Sequence, residues 1–392
     1  MSRRPVTERG SRTVEALLEG AAEVFARKGY HAASVAALCR AGGLANASFY
    51  QYFKDKRQIW DALVDRGRDR VREALAGARG LEETSSRLLE AFQASGTSVQ
   101  VFREAEFLDG PAGVRAFYDP ILEALQEALA VDEPTAWCVL GAHLFVALRY
   151  GIWSGTAIPG PARQAVLELC RFGLSPTPTD RWRDTTLPAP PRAGAASPPL
   201  ERADRTRTAL LDAARECFAR KGYPATRVAE ITLQAGVAQG TFYVYFPAKR
   251  DILAHLLNEI REDLTARVAR VNRGVEDRLE RERRNLLVFL DTMTHQAEIY
   301  GIVREAEFAE PSIGRGYYET IASAYAEAFE AAGDRGEVRP AWPEGLAWAV
   351  MGVAHTAGLR WVLWEGGRAA PVEAVQRTLR FLMNGLEAGG ND

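Results

Sequence analysis

At 392 residues the chain exceeds one typical domain, which sets an expectation of two or more. Apolar residues make up 47% and charged residues 26%, the balance of a packed globular protein, which excludes wholesale disorder. Net charge is −2 and the isoelectric point about 6.3, a total that argues against a nucleic-acid binder unless the charge is unevenly spread.

The first segment opens with an amphipathic helix. Val14, Leu17, Leu18, Ala21, Ala22 and Phe25 follow the i, i+3, i+4, i+7 spacing of one buried face, and Gly29 after Arg27 and Lys28 marks its stop. Two short helices are expected next, at residues 34–41 and 46–52, separated by Gly42-Gly43-Leu44. This is the pattern of a helix-turn-helix. Gly43 supplies the positive φ of the turn, the small Cys39 lets the helices approach, and Val35, Leu38, Leu44 and Phe49 form the packed side.

The same unit returns 193 residues later. FARKGY at residue 25 recurs at residue 218, and residues 25–57 and 218–250 are identical at 17 of 33 positions without a gap. In the second copy the short helices fall at 227–235 and 239–245, the turn glycine is Gly236, and Val228, Ile231, Val237 and Phe242 form the packed side. Further on, REAEF at residues 103–107 recurs at 304–308. Trp137, Gly141, Leu148, Arg149 and Trp153 recur as Trp348, Gly352, Leu359, Arg360 and Trp364. The chain therefore reads as two homologous halves joined by residues 176–200, where proline disfavours helix and gives an extended linker in which Trp182 is free to dock onto one half. The expected division is 9–57 (first helix-turn-helix domain), 58–175 (first helical body), 176–200 (linker), 201–250 (second helix-turn-helix domain) and 251–388 (second body). No segment alternates with period two, so an all-α fold is expected.

AGVAQGTFYVYFPAKRDIL resembles the signature of TetR-like transcriptional regulators, and GGLANASFYQYFKDKRQIW is a more diverged form of it. The resemblance implies two tandem TetR-like units, each a helix-turn-helix head whose third helix reads the major groove, followed by a larger body that binds a ligand and dimerises, with about nine helices per unit. It implies a regulator, normally a repressor, released from DNA by its effector. The residues agree. Asn46, Ser48, Tyr50 and Gln51 in the first head, and Gln239, Thr241 and Tyr243 in the second, are types that reach base edges or phosphates. Tyr52 and Tyr245 stand where the family touches the DNA backbone, and Lys56 and Lys249 open the next helix, where a lysine suits a phosphate. Tyr50 and Tyr243 also read as half-buried props, and Phe49, Phe53, Phe242 and Phe246 as core. Ala45 and Ala238 depart from the family, which uses a capping Ser or Thr there, so a frayed recognition helix is expected. The charge is indeed uneven. Residues 1–60 carry +5 and residues 201–250 carry +4, which leaves −11 on the rest of a chain at −2.

In the bodies, residues 137–153 and 348–364 are the most apolar stretches and read as buried or interface helices, shorter than a membrane span. Residues 136–153 and 161–174 are expected to pack on 346–364 and 371–386 as an intramolecular pseudo-dimer. Arg149 and Arg360 sit within these apolar stretches, with Glu104, Glu106, Glu305 and Glu307 as their expected ion-pair partners or an acidic effector as the alternative. Phe107, Tyr118, Trp153, Phe308, Tyr318 and Trp364, with the two arginines, are candidate contacts for an apolar or aromatic effector. His143 and His355 fall one position apart between the copies and read as satisfied interior residues. No metal, no cofactor and no catalytic residues are expected. The four scattered cysteines and the lack of an apolar stretch behind the first basic residues point to a reducing, cytoplasmic location without a secretory signal. The competing classes are an all-helical enzyme and a ligand-responsive scaffold that does not bind DNA; no nucleophile, metal or phosphate-loop motif favours the enzyme.

Overall fold

A computed structural model describes residues 7–108, 110–175, 182–187 and 202–388, apart from the side chains of residues 107–108, 111–112 and 202–204. Among these residues there is no strand, only an isolated antiparallel bridge between Val338 and Glu387. The chain separates into two compact units. Met1–Arg171 with Trp348–Val353 form the first, and Phe172–Ala347 with Ala354–Asp392 the second.

In the first half α1 (Glu8–Ala32), α2 (Val35–Ala41) and α3 (Asn46–Tyr52) form the head. The body follows as α4 (Lys56–Leu75), α5 (Leu81–Ala94), α6 (Gly96–Leu108), α7 (Gly110–Leu129), α8 (Glu133–Val146) and α9 (Gly160–Gly173). Ala147–Trp153 continues α8 with π-helical winding, a local insertion into the i→i−4 ladder. The second half repeats the order: α10 (Arg202–Lys221), α11 (Val228–Gln234) and α12 (Gln239–Tyr245), then α13 (Lys249–Val271), α14 (Arg278–His295), α15 (Ala297–Ala309), α16 (Pro311–Asp334), α17 (Pro343–Trp361) and α18 (Val372–Leu386).

Helix starts are fixed by short polar side chains. Thr7 accepts from the Gly10 amide at 3.1 Å, Ser34 from Ala37 at 3.3 Å, Asp55 from Gln58 at 2.9 Å and Asp132 from Thr135 at 3.0 Å. The core of the first head gathers Leu17, Phe25, Leu38, Phe49 and Phe53 with Ile59, Trp60 and Leu63 of α4 and Val101 and Ala105 of α6. Each buried aromatic of this set contributes about 2 kcal/mol. The head is therefore sealed by the body helix α6 as well as by its own three helices. Glu133–Trp153 and Pro343–Glu365 are long and apolar enough to cross a membrane, but most of each is buried within the fold.

The linker does dock in part. Trp182 is buried, Gln376 of α18 donates to the Arg183 carbonyl at 2.8 Å, and Arg283 of α14 donates to the Asp184 carbonyl at 2.8 Å, all within the second unit. The remaining proline-rich residues lie outside those described.

His143 is satisfied, as its setting suggested. Its Nδ1 donates to the Val139 carbonyl and its Nε2 accepts from Ser85, both at 2.7 Å. Burial pushes its pKa down to about 4, so the folded chain keeps the ring neutral where the unfolded chain protonates it below 6.5. This contribution is intact above pH 6.5 and is lost as the pH falls toward 4. Between pH 7.5 and pH 5 the His143→Gln variant should lose about 2 kcal/mol less stability than the parent in urea unfolding. Equal losses would remove His143 as the source.

Candidate nucleic-acid interface

Each head packs its recognition helix by the same residues. Gly43 and Gly236 adopt φ of 66° and 68°, which turns the chain sharply between α2 and α3 and between α11 and α12. Cys39 and Thr232 are buried at the crossing. Phe49, Phe53, Phe242 and Phe246 are core, and each recognition helix lies over them with its opposite face outward.

That outward face carries most of the expected contacts. Asn46, Gln51 and Gln239 are exposed, and Ser48, Tyr52, Thr241 and Tyr245 are half-buried. Tyr50 is 63% and Tyr243 53% exposed, so neither is a buried prop; each ring stands edge-on to the phenylalanine beside it at 5.3 Å. The second head also presents two exposed apolar side chains, Val244 (78% exposed) and, not singled out from sequence, Leu233 (81%), where the first head has Gln51 and Arg40. Neither Ala45 nor Ala238 makes a side-chain cap, as their chemistry requires.

Lys56 and Lys249 each close the end of the first helix of their head. The Lys56 ammonium donates to the Tyr30 carbonyl at 2.6 Å and the Ala33 carbonyl at 2.9 Å, and lies 4.3 Å from the Tyr30 ring centre. Lys249 does the same with Tyr223 at 2.7 Å and Thr226 at 2.8 Å, over the Tyr223 ring at 4.2 Å. A lysine at a helix start opposes that helix's own dipole; here the C-terminal carbonyls of the first helix hold it. Burial lowers the pKa of both lysines.

Arg149 and Arg360 have partners close by in the sequence. Arg360 pairs with Glu365 at 2.7 Å and Arg149 donates to Ser154 at 3.1 Å, and both are only half-buried. The first glutamate of each REAEF repeat instead reaches the head. Glu104 accepts the Tyr30 amide at 2.8 and 3.0 Å, and Glu305 accepts the Tyr223 amide at 2.6 Å. Glu106 accepts from Tyr118. Among the described residues the most deeply buried arginines are those of REAEF itself. Arg103 lies over the Phe145 ring at 5.4 Å, and Arg304 meets His355 at 3.1 Å, with Tyr300 on the other ring nitrogen. Sequence spacing did not reveal these arginines, because an Arg beside two glutamates reads as solvated.

The proposed effector contacts are scattered in character. Tyr118, Phe308, Tyr318 and Trp364 are buried and Trp153 half-buried, while the side chain of Phe107 lies outside those described. Tyr118 packs among Phe102, Phe117 and Trp137.

A family model described as "Bacterial regulatory proteins, tetR family" matches residues 17–63 and 210–256, which are the two heads. The "Fatty acid metabolism regulator protein" of Bacillus subtilis is 50% identical over 50 residues, 13% of this chain and 26% of that protein. The "HTH-type transcriptional activator FasR" of Mycolicibacterium smegmatis is 30% identical over 111 residues, 28% of this chain and 51% of that protein. The chain thus matches between a quarter and half of the length of these relatives. A TetR-family regulator from Agrobacterium tumefaciens is 17% identical with a TM-score of 0.38, covering 47% of this chain and 100% of its own. One from a Rhodococcus species is 21% identical with a TM-score of 0.37, covering 45% and 95%.

Because nothing caps α3, Ala45→Ser should supply an acceptor for its first free amides and stabilise it by about 1 kcal/mol. Amide exchange within α3 should slow about fivefold; an unchanged rate would mean that the helix end is already closed.

Proposed function

We propose that this chain, a TetR-like protein bearing the family's helix-turn-helix domain in two tandem copies, is a DNA-binding transcriptional regulator whose heads read the two half-sites of an imperfect palindrome. The observation that carries this reading is the duplicated recognition helix, braced by buried phenylalanines and presenting Tyr50 and Tyr243 to solvent. Asn46, Ser48, Tyr50, Gln51 and Tyr52 serve the first half-site, and Gln239, Thr241, Tyr243 and Tyr245 the second. Basic heads on acidic bodies suit this division of labour, since the heads meet phosphates and the bodies stay clear of them.

The two halves pair within one chain as a pseudo-dimer. Support comes from the duplication itself and from small residues along both long apolar helices, Gly141 and Ala142 in one and Gly352 and Gly358 in the other, which permit close helix approach. The bodies bind a small apolar or aromatic effector, with Tyr118, Arg149 and Trp153, and Phe308, Tyr318, Arg360 and Trp364, among its contacts. Effector binding releases DNA, so the protein represses by occupying its operator, and it works in the cytoplasm.

Selection of bound sequences from random duplex DNA tests this reading. The enriched site should be two unequal half-sites, and affinity should fall steeply with salt, as expected for several phosphate contacts. Exchanging the recognition helices (residues 46–52 and 239–245) should exchange the half-site preferences. Failure to bind any duplex at low salt would overturn the regulator in favour of a scaffold or an enzyme.

A further inference from the structure

The first helix of each head ends against a body helix in the same way. In α1 the helical path breaks at Gly29, whose φ of 73° and ψ of 167° lie in a region that only glycine occupies readily. Gly222, with φ of 82°, stands at the end of α10. The break swings the next amide, of Tyr30 or Tyr223, outward from the helix. Glu104 of α6 and Glu305 of α15, both buried, receive that amide. A methyl group on either glycine would sit 3.1 Å from Glu104 Oε1 or 2.7 Å from Glu305 Oε1, so the carboxylate also needs the missing side chain.

On the other side of the same turn, Lys56 or Lys249 takes the carbonyls. The lysine starts the helix that leads from head to body, and the glutamate lies on a different body helix. The turn is thus held from two directions by opposite charges, each matched to the backbone group it can bind. Burial raises the Glu305 pKa, while the Tyr223 amide and Lys249 pull it down. The arrangement recurs in both halves, which have diverged at many neighbouring positions.

We propose that Glu104 and Glu305 are positioning residues that fix the angle of each head on its body. They touch no DNA; they set the direction in which each recognition helix points. The proposal rests on the DNA-reading function above. Two linked heads gain affinity for two half-sites only if their separation is held, because a fixed geometry keeps the effective concentration of the second head high. A head released at this turn still binds one half-site but no longer measures the distance between two.

The test uses the full-length chain as parent, Glu104→Ala, Glu305→Ala, and the acceptor-retaining Glu104→Gln and Glu305→Gln. Binding is measured to the selected duplex, to the same duplex with two base pairs inserted between half-sites, and to a single half-site. The alanine variants should lose about tenfold in affinity for the natural spacing and discriminate little against the insertion, while half-site affinity stays within about twofold. The glutamine variants should keep most of the spacing preference. Equal loss on the single half-site would make the glutamates merely structural, and an unchanged spacing preference would overturn the proposal outright. A second readout needs no DNA. Nitroxide labels on Lys54→Cys and Glu127→Cys, both exposed, report the distance from head to body within the first half. Glu104→Ala should broaden that distance distribution, and a distribution as narrow as the parent's would sink the clasp. Broadening in a protein that binds no duplex would keep the clasp and overturn only the DNA-reading function.

Discussion

The end of a helix is a chemical problem before it is a structural one, because its last carbonyls have no partner along the chain. Here the last carbonyls of α1 and α10 lie where the head meets the body. Lys56 and Lys249 close these ends with charge-assisted bonds that draw on the negative end of the helix. The outward amide that the glycine exposes requires an acceptor in turn, and Glu104 and Glu305 provide it. Once the first helix is closed in this way, its apolar face is presented to α2, α3, α4 and α6 together, and the recognition helix is laid over Phe49 or Phe242. The remaining geometry of the head depends on that closure.

The packing of the head runs on past residue 57. Ile59, Trp60 and Leu63 of α4 and Val101 and Ala105 of α6 complete the packing around Phe25 and Phe53. In the first half, Trp60 stands edge-on to both Phe25 and Tyr30, at 4.9 Å in each case. In the second half the tyrosine hydroxyl donates to Glu310 at 2.8 Å.

What could be read from sequence follows from the range of each interaction. The helix-turn-helix was legible because its signals are local: α3 and α12 begin and end at the expected residues, and the turn glycines have the expected positive φ. The roles of Lys56 and Glu104 were not legible. Their partners are 23 to 74 residues away and meet only when α1, α4 and α6 pack. A lysine at a helix start reads as a phosphate ligand until a second helix end is brought beside it. The burial of Arg103 and Arg304 escaped notice for the same reason. REAEF is charged in composition, and only tertiary packing shows that its arginines face inward.

The pattern of divergence between the copies follows this division. Many of the residues that close or pack the head are the same in both: Tyr30 and Tyr223, Gly43 and Gly236, Phe49 and Phe242, Phe53 and Phe246, Lys56 and Lys249, Glu104 and Glu305. Some of the residues that differ face outward: Arg40 against Leu233, Gln51 against Val244, Lys54 against Pro247. A dimer of identical chains must carry identical heads, because one sequence builds both. A chain that holds both heads is free of that constraint. Its outward residues can change in one copy alone, while a change at the closing turn costs packing in whichever copy suffers it. An exposed glutamine offers an amide that pairs with adenine, and an exposed valine offers only apolar contact, of the kind a thymine methyl accepts. The difference between Gln51 and Val244 is thus a difference in what each face can recognise, made at no cost to the fold that holds them.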